Sequence, residues 1–162
     1  MKNIEIRIAN DSDVEAITKL FYDTIQNVNC RDYPQEEIDD WSSWYADIDK
    51  WKERISQQYF IVALLNHLIV GFGSLATDGY LDLMFVHKDY QKIGIAKQLL
   101  RVIEEKAILQ NNKQIYSDVS ITARPFFESK GYIIEKKQLK KSREKKLVNY
   151  KMRKDLSNSV TN

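Results

Sequence analysis

The sequence has few of the residues that bind metals or form disulfide bonds. It contains one cysteine, Cys30, and two histidines, His67 and His87. A single cysteine cannot form an internal disulfide, and these three residues do not have the spacing of a zinc site. The sequence therefore predicts no metal cofactor.

Long hydrophobic runs are also missing. The longest, residues 59–65 and 68–72, are far shorter than the roughly 20 residues of a membrane-spanning helix. The first residues lead into a strand-like segment without the apolar stretch of a signal peptide, so we expect no membrane association and a cytoplasmic location. At 162 residues, 43% hydrophobic and 30% charged, the chain fits one globular domain, assigned to residues 1–155. Residues 156–162 are predicted to be a frayed tail.

Charge is unevenly distributed along the chain. Residues 32–53 carry eight acidic side chains and two lysines, whereas residues 136–154 carry ten Lys or Arg and one Glu. These segments are either two solvated surfaces, or an acidic surface for a cationic acceptor and a basic one for phosphates. Tyr150 is the only aromatic residue of the basic segment. Base stacking therefore has little support, and we expect no nucleic-acid partner.

Hydrophobic periodicity and turn residues divide the chain into strands and helices. Strands are predicted at about 4–8, 59–65, 68–76, 79–86, 114–118, 132–139 and 146–153. Helices are predicted at about 14–25, from 34 to 41 or 44, at 51–55 and 95–111, and from 120 or 122 to 130. This alternation indicates a mixed α+β domain.

Residues 91–96, Gln-Lys-Ile-Gly-Ile-Ala, lie between a predicted strand and a predicted helix. Small residues at a helix start leave backbone N–H groups free, with the positive end of the helix dipole behind them. Such an arrangement binds anions, most often phosphate. Lys92 and Lys97 add positive charge beside it. No Walker or dinucleotide-binding glycine motif is present, so those classes of nucleotide-binding protein are disfavoured.

This segment resembles the pyrophosphate loop of the GNAT acetyltransferase superfamily, [Gln/Arg]-x-x-Gly-x-[Gly/Ala], with Gln91, Gly94 and Ala96 at its fixed positions. A second superfamily signature, Asn-x-x-Ala-x-x-x-Tyr-x-x-x-Gly-Phe, is similar to the pattern beginning at Ser120 and ending at Gly131-Tyr132. Ser120 replaces the asparagine and Phe127 replaces the tyrosine. The order of elements from residue 4 to 154 is also similar to the GNAT fold. The resemblance implies a central, mostly antiparallel twisted sheet of about seven strands flanked by helices.

The resemblance implies that acetyl-CoA is the acetyl donor. Its pyrophosphate would be bound mainly by main-chain N–H groups of the loop, and its pantetheine arm by the end of the preceding strand, whose main chain would also polarise the thioester carbonyl. The thiol end would lie near Ser120 and Phe127. The implied cofactor-binding residues are Phe85, Val86, Gln91, Lys92, Ile93, Gly94, Ile95, Ala96, Lys97, Ser120 and Phe127.

Acetyl transfer to an amine involves two proton transfers, and each needs a residue that gives or takes the proton. The superfamily tyrosine that often protonates the leaving thiolate corresponds to Phe127, which has no hydroxyl. Either another group such as Tyr150, Tyr80 or Ser120 supplies the proton, or the thiolate leaves without an acid. For deprotonating the amine, the resemblance places Tyr80 where some family members carry a glutamate base, and Asp82 lies two residues on, on the same face of the strand. Asp82 is flanked by leucines and is either an active-site residue or half of a structural ion pair.

The acceptor is expected to be a primary amine of a small molecule or a peptide. Tyr22, Tyr33 and Trp41 lie in the helical segment that usually forms the acceptor wall in the resembled fold. Such aromatic residues at helical spacing are otherwise core residues. An alternative function is a CoA-binding module without transferase activity, which the missing tyrosine at Phe127 suggests. A homodimer is possible in either case.

Overall fold

The computed structural model describes residues 3–156. Within this range the chain forms seven strands and five α-helices, with 3-10 turns between some of them. The elements in chain order are β1 (Glu5–Ile8), α1 (Val14–Asn27), α2 (Gln35–Ser42), α3 (Ile48–Gln57), β2 (Tyr59–Leu65), β3 (Leu68–Leu75), β4 (Leu81–Val86), α4 (Ile95–Leu109), β5 (Gln114–Ser120), α5 (Arg124–Ser129), β6 (Ile133–Lys141) and β7 (Lys146–Asp155). The predicted succession of strands and helices is confirmed.

The strands form two antiparallel sheets rather than one continuous sheet. The first has the order β1-β2-β3-β4, and the second has the order β5-β7-β6. Between them lies one parallel bridge, Tyr80 to Tyr116, where the N–H of Tyr116 donates to the carbonyl of Gly79 at 3.1 Å. The hydroxyl of Ser117 then donates to the carbonyl of Leu81 at 2.7 Å. β5 pairs with β7 along its other edge, and past the bridge no further ladder joins β4 to β5 in the described residues, so this edge of β4 is left open.

The first sheet separates two apolar clusters because successive side chains of a strand point to opposite faces. On β2, Ile61 and Ala63 pack with the α4 cluster, whereas Phe60 and Val62 pack with the cluster formed by α1, α2 and α3. Each face of the sheet is therefore covered by helices, and α1 and α4 are held on opposite sides of β4.

Several predicted boundaries move. The second helix ends at Ser42 and continues as a 3-10 turn, Ser43–Ala46, and the third is longer than predicted. Leu156, assigned above to the tail, is buried, and its N–H donates to the carbonyl of Lys113 at 2.8 Å. It therefore belongs to the fold, and the remaining predicted tail, 157–162, lies outside the described residues. No helix in the described range is long and apolar enough to cross a membrane.

Glycines on β3 set the distance between the first sheet and α4. A Cβ atom at Gly71 would lie 2.9 Å from Cγ2 of Ile95, 3.1 Å from Cδ1 of Leu99 and 3.2 Å from the carbonyl oxygen of Phe85. Contacts this short do not fit without movement of the helix or the strand. Since Ile95 begins α4, Gly71 also fixes where the start of this helix lies.

We expect Gly71→Ala to lower the free energy of unfolding by about 1–3 kcal/mol, because the added methyl group overpacks the contact between β3 and α4. Thermal or urea unfolding measures the change. Ser74→Ala is the matched control, because Ser74 is buried on the same strand and its hydroxyl has no hydrogen-bond partner. Equal stability of Gly71→Ala and the wild type would contradict this account of the packing.

Candidate active site

A cleft of about 790 Å³ opens where β4 and β5 separate. Its walls are the length of β4, the end of β5 from Ser117 to Ser120, the loop before α4, and parts of α1, α2 and the β6–β7 hairpin. One continuous space therefore joins the helix start, the open strand edge and the aromatic segment near Trp41.

The start of α4 presents unpaired N–H groups to this cleft. Gly94 precedes the helix with φ of 96°, and the first helical hydrogen bond runs from the N–H of Gln98 to its carbonyl at 3.1 Å. In the described part of the chain, the N–H groups of Ile95, Ala96 and Lys97 have no acceptor. A Cβ atom at Gly94 would meet nothing within 4 Å. This geometry suits an anion in contact with the backbone.

Side chains of the loop hold it against β4. The amide of Gln91 donates to the carbonyl of Val86 at 2.7 Å and to that of His87 at 3.3 Å. Lys92 is exposed, with φ of 61°, and lines the cleft together with Lys97. Ile93 is exposed and is not among the residues lining the cleft. The side chain of Gln91 thus stabilises the position of the loop against the end of β4.

The edge of β4 offers backbone groups to the cleft. The N–H of His87 donates to Val70 on β3 at 2.8 Å. Because hydrogen-bonding direction alternates along an antiparallel strand, the N–H groups of Val86 and Met84 point away from β3. The carbonyl of Val86 accordingly accepts from the hydroxyl of Thr24 at 3.0 Å as well as from Gln91. An extended chain placed in the cleft can therefore pair with β4.

Asp82 lies at a break in the ladder between β3 and β4. Leu83 pairs with Ser74 and Leu81 with Leu75, so Asp82 is the extra residue of a bulge. Its Oδ2 accepts from Gln58 at 3.0 Å and lies 3.2 Å from Nε of Arg54. Asp82 lines the cleft, so it combines the two alternatives left open by its sequence: it forms an ion pair and faces the candidate site.

Tyr80 faces the same end of the cleft and is linked to a carboxylate on β5. Its hydroxyl donates to Oδ2 of Asp118 at 3.0 Å, and Lys140 forms an ion pair with the same oxygen. Burial, together with the charges of Asp118 and Asp82, raises the pKa of Tyr80 well above its ordinary value. Although burial alone would raise the pKa of Asp118, hydrogen bonds from Lys140, Gln138 and Tyr80 hold it below the usual range. Tyr80 is therefore a neutral hydroxyl beside a charged carboxylate.

Of the residues predicted to act at the thiol, two line the cleft and one does not. Ser120 and Phe127 line the cleft. The hydroxyl of Ser120 accepts from the N–H of Ala123 at 3.0 Å, and Phe127 is buried with its ring edge-on to Tyr132. Tyr150 is buried beneath the guanidinium of Arg124, 4.7 Å from the ring centre, and is not among the residues lining the cleft.

Of the three residues predicted to bind the acceptor, two line the cleft and one does not. Tyr33 and Trp41 line the cleft with ring centres 5.7 Å apart. The hydroxyl of Tyr33 donates to the carbonyl of Val148 at 2.6 Å and accepts from the N–H of Ile121 at 3.0 Å, and burial raises its pKa to about 12. Tyr22 is exposed, packs on Tyr45 and does not line the cleft.

Sequence reasoning missed cleft residues whose positions depend on distant contacts. Thr24 reaches Val86 across 62 positions, and Asp118 reaches Tyr80 across 38. Asn29 is buried at the cleft wall and lies between the predicted helices at 14–25 and from 34, where no element is predicted. Asp118 alternates with Ser117 and Val119 on a short strand, and this pattern could have marked it as a residue facing one side of the sheet.

Among residues 3–156, no cluster of three His, Cys, Asp or Glu side chains suits a metal ion.

Comparison with known proteins identifies the class to which this fold and cleft belong. The family pattern described as an acetyltransferase (GNAT) domain matches residues 29–156. The chain therefore belongs to the GNAT acetyltransferase family, and the fold class and family expected from the sequence are confirmed.

Individual relatives agree with this family. An uncharacterised N-acetyltransferase of Escherichia coli K12, YafP, is 31% identical over 153 residues, which cover 94% of this chain and 97% of YafP. The crystal structure of a GCN5-related N-acetyltransferase from Rhodopseudomonas palustris matches with a TM-score of 0.93 and 27% identity, over 96% of this chain and 98% of that one. The PaiA N-acetyltransferase of Thermoplasma acidophilum, crystallised with coenzyme A, shares the fold, with a TM-score of 0.80 and 20% identity over 95% and 99% of the two chains.

We expect Gly94→Glu to weaken acetyl-CoA binding at least roughly tenfold, equivalent to about 1.4 kcal/mol. The new carboxylate would extend into the space faced by the free N–H groups of α4 and would repel a diphosphate. Isothermal titration of acetyl-CoA measures the change. Gly131→Glu is the control, because Gly131 has φ of 91° but lies outside the cleft lining. Equal affinities of the two variants would remove the loop from the binding site.

Proposed function

We propose that this protein transfers the acetyl group of acetyl-CoA directly to a primary amine. The observation that carries the proposal is one cleft that joins the free N–H groups at the start of α4 to the open edge of β4. The first suits a diphosphate, and the second suits the extended pantetheine arm, which carries amide groups. The crystal structure of the PaiA relative with coenzyme A supports the same ligand class.

In this proposal the backbone of the loop and of β4 binds the donor. The N–H groups from Ile93 to Lys97 hold the pyrophosphate, with Lys92 and Lys97 beside it. The outward N–H groups of Met84 and Val86 pair with the arm and with the thioester carbonyl oxygen. A donor fixed by folded backbone needs no reorganisation as charge develops on that oxygen, so it stabilises the tetrahedral transition state.

The acetyl group then moves in one displacement. The amine nitrogen attacks the thioester carbonyl carbon, the C–S bond breaks, and CoA leaves as a thiolate, while the amine must lose a proton. We propose Asp82 as the group that receives this proton, directly or through water, because it faces the cleft at the bulge of β4. Tyr80 is the second candidate for this step, as a relay: its hydroxyl would take up the amine proton while it passes its own proton to Oδ2 of Asp118, to which it already donates at 3.0 Å.

The leaving thiolate is proposed to depart without a dedicated acid. Phe127 has no proton to donate, and a thiol titrates near about 8.5, so its anion is a fair leaving group. The alternative to unassisted departure is protonation by Tyr150, and its place beneath Arg124 and outside the cleft lining supports this alternative less. The proposed location remains the cytoplasm, and a homodimer remains a prediction.

The alternative function is a module that binds CoA without transferring acetyl groups. Phe127 favours this alternative because it lacks the hydroxyl that often protonates the leaving thiolate. Release of free thiol from acetyl-CoA in the presence of a broad amine panel separates the two functions. The transferase should release thiol in proportion to the acetylated amine detected by mass spectrometry. A protein that binds acetyl-CoA but releases no thiol with any amine would support the binding module.

We expect Asp82→Asn to lower kcat by about 10²–10⁴ while the affinity for acetyl-CoA is kept, because the amide cannot accept the proton. Steady-state kinetics and titration measure the two effects. Arg54→Met is the matched comparison, since it breaks the same ion pair but keeps the carboxylate, and its loss of kcat should be smaller. Equal losses in both variants would reassign Asp82 to a structural role.

We expect Phe127→Tyr to maintain or raise the rate of the chemical step, because a hydroxyl on this ring would stand near the proposed position of the sulfur. Single-turnover kinetics measure this step alone, and Tyr150→Phe is measured beside it. A slower Phe127→Tyr variant with a lowered melting temperature would indicate that the buried hydroxyl costs packing. A loss of rate in Tyr150→Phe would contradict unassisted departure of the thiolate.

A further inference from the structure

The acidic and basic segments of the chain bind each other above the cleft. The carboxylate of Asp40, on α2, accepts hydrogen bonds from three successive N–H groups at the tip of the β6–β7 hairpin: Arg143 at 2.9 Å, Glu144 at 3.1 Å and Lys145 at 3.2 Å. The guanidinium of Arg143 also lies over the ring of Trp44, 4.0 Å from its centre. We call these contacts the hairpin bridge.

The hairpin bridge joins two segments that line the cleft. Trp41 and Trp44 line the cleft on the side of α2, and Lys141, Ser142 and Leu147 line it on the side of the hairpin. Because the bridge ties these two sides together, an extended peptide cannot pass between α2 and the hairpin unless the hydrogen bonds of Asp40 break. The whole cleft measures about 790 Å³ and must also hold the donor arm, so the space left for the acceptor suits a small molecule.

The charges of the cleft disfavour a polycation. Its acidic lining residues in the described range are Asp82 and Asp118. Asp82 lies 3.2 Å from Arg54, and Asp118 forms an ion pair with Lys140, so each is already neutralised by a neighbour. The cleft lining also includes Arg31 and Lys141, further cations on the acceptor side. A second ammonium group on the acceptor would find no unpaired carboxylate to bind.

The wall opposite these charges is aromatic. The ring of Phe85 lies 5.1 Å from that of Phe21 and 6.2 Å from that of Trp41, and Tyr33 continues the row. These edge-to-face and tilted pairs form an apolar surface against which a further aromatic ring can pack. Asn29 adds one buried polar group at this wall, and its side chain has no hydrogen-bond partner within residues 3–156.

We propose that the acceptor is a small monoamine with an aromatic body, in preference to a peptide or a polyamine. The proposal rests on the transferase function argued above. In this arrangement the ring of the acceptor packs against Phe85 and Trp41, and its single amino group reaches the thioester carbonyl beside Asp82. The bridge determines the size of the acceptor, and the paired carboxylates determine that it carries one positive charge.

The test compares phenethylamine, spermidine and a lysine-containing octapeptide at saturating acetyl-CoA. We expect kcat/KM for phenethylamine to exceed that for each of the others at least tenfold. A preference for spermidine or for the peptide would overturn the proposal. If no amine is acetylated, calorimetric binding to the CoA-loaded protein still decides the acceptor class: phenethylamine should bind tighter than spermidine, whereas the reverse order overturns the proposal. Binding in that order without turnover would instead count against the transferase function alone.

Two variants test the structural causes separately. Trp41→Ala should lower kcat/KM for phenethylamine at least tenfold and change that for ethylamine, which has no ring, much less. Asp40→Ala should open the bridge and raise kcat/KM for the octapeptide several-fold, whereas Glu53→Ala removes an acidic side chain from the same segment without a contact to the hairpin and should not. Equal effects of Trp41→Ala on both amines, or no gain for the peptide in Asp40→Ala, would contradict the assignment.

Discussion

The separation of β4 from β5 is the constraint on which the rest of the site depends. Two parallel strands pair at the single bridge of Tyr80 and Tyr116 and then diverge, while β5 keeps β7 as the partner of its other edge. Backbone N–H and C=O groups that lose a strand partner must be satisfied elsewhere. Along this edge of β4, Ser117 satisfies the carbonyl of Leu81, and Thr24 and Gln91 satisfy that of Val86. The N–H groups of Met84 and Val86 face a cleft. The fold thus holds a strand edge ready for an extended ligand.

The second part of the site, the start of α4, is fixed to this edge by packing. Ile95, Leu99 and Ile103 press directly on glycines of β3, the strand that pairs with β4. Any shift of the helix start relative to β4 would therefore disturb the core. The distance between the free N–H groups of α4 and the open strand edge is set by the sheet and the helix together. A rigid relation of this kind suits a donor with a phosphate at one end and a thioester at the other.

The parts of the fold that sequence analysis predicted are local. The loop from Gln91 to Ala96 and the helix after it could be predicted because small residues, a turn and an apolar stripe lie within one short segment. The split into two sheets could not, since it depends on where β4 and β5 separate after their single bridge, and no local pattern marks that point. The bulge at Asp82 could not be predicted from the sequence either, because it arises from the register of β4 against β3. Of the predicted site residues, Tyr22, Ile93 and Tyr150 fall outside the cleft lining, because spacing alone does not tell which side of an element faces the core.

The central claim is that the donor occupies the edge of β4 and the start of α4 at the same time. Residue-resolved amide hydrogen exchange, measured by NMR with and without acetyl-CoA, tests it most directly. We expect acetyl-CoA to slow the exchange of the amides of Met84 and Val86 together with those of Ile95, Ala96 and Lys97. Unchanged exchange at these amides, with protection instead on the basic β6–β7 hairpin, would contradict the account.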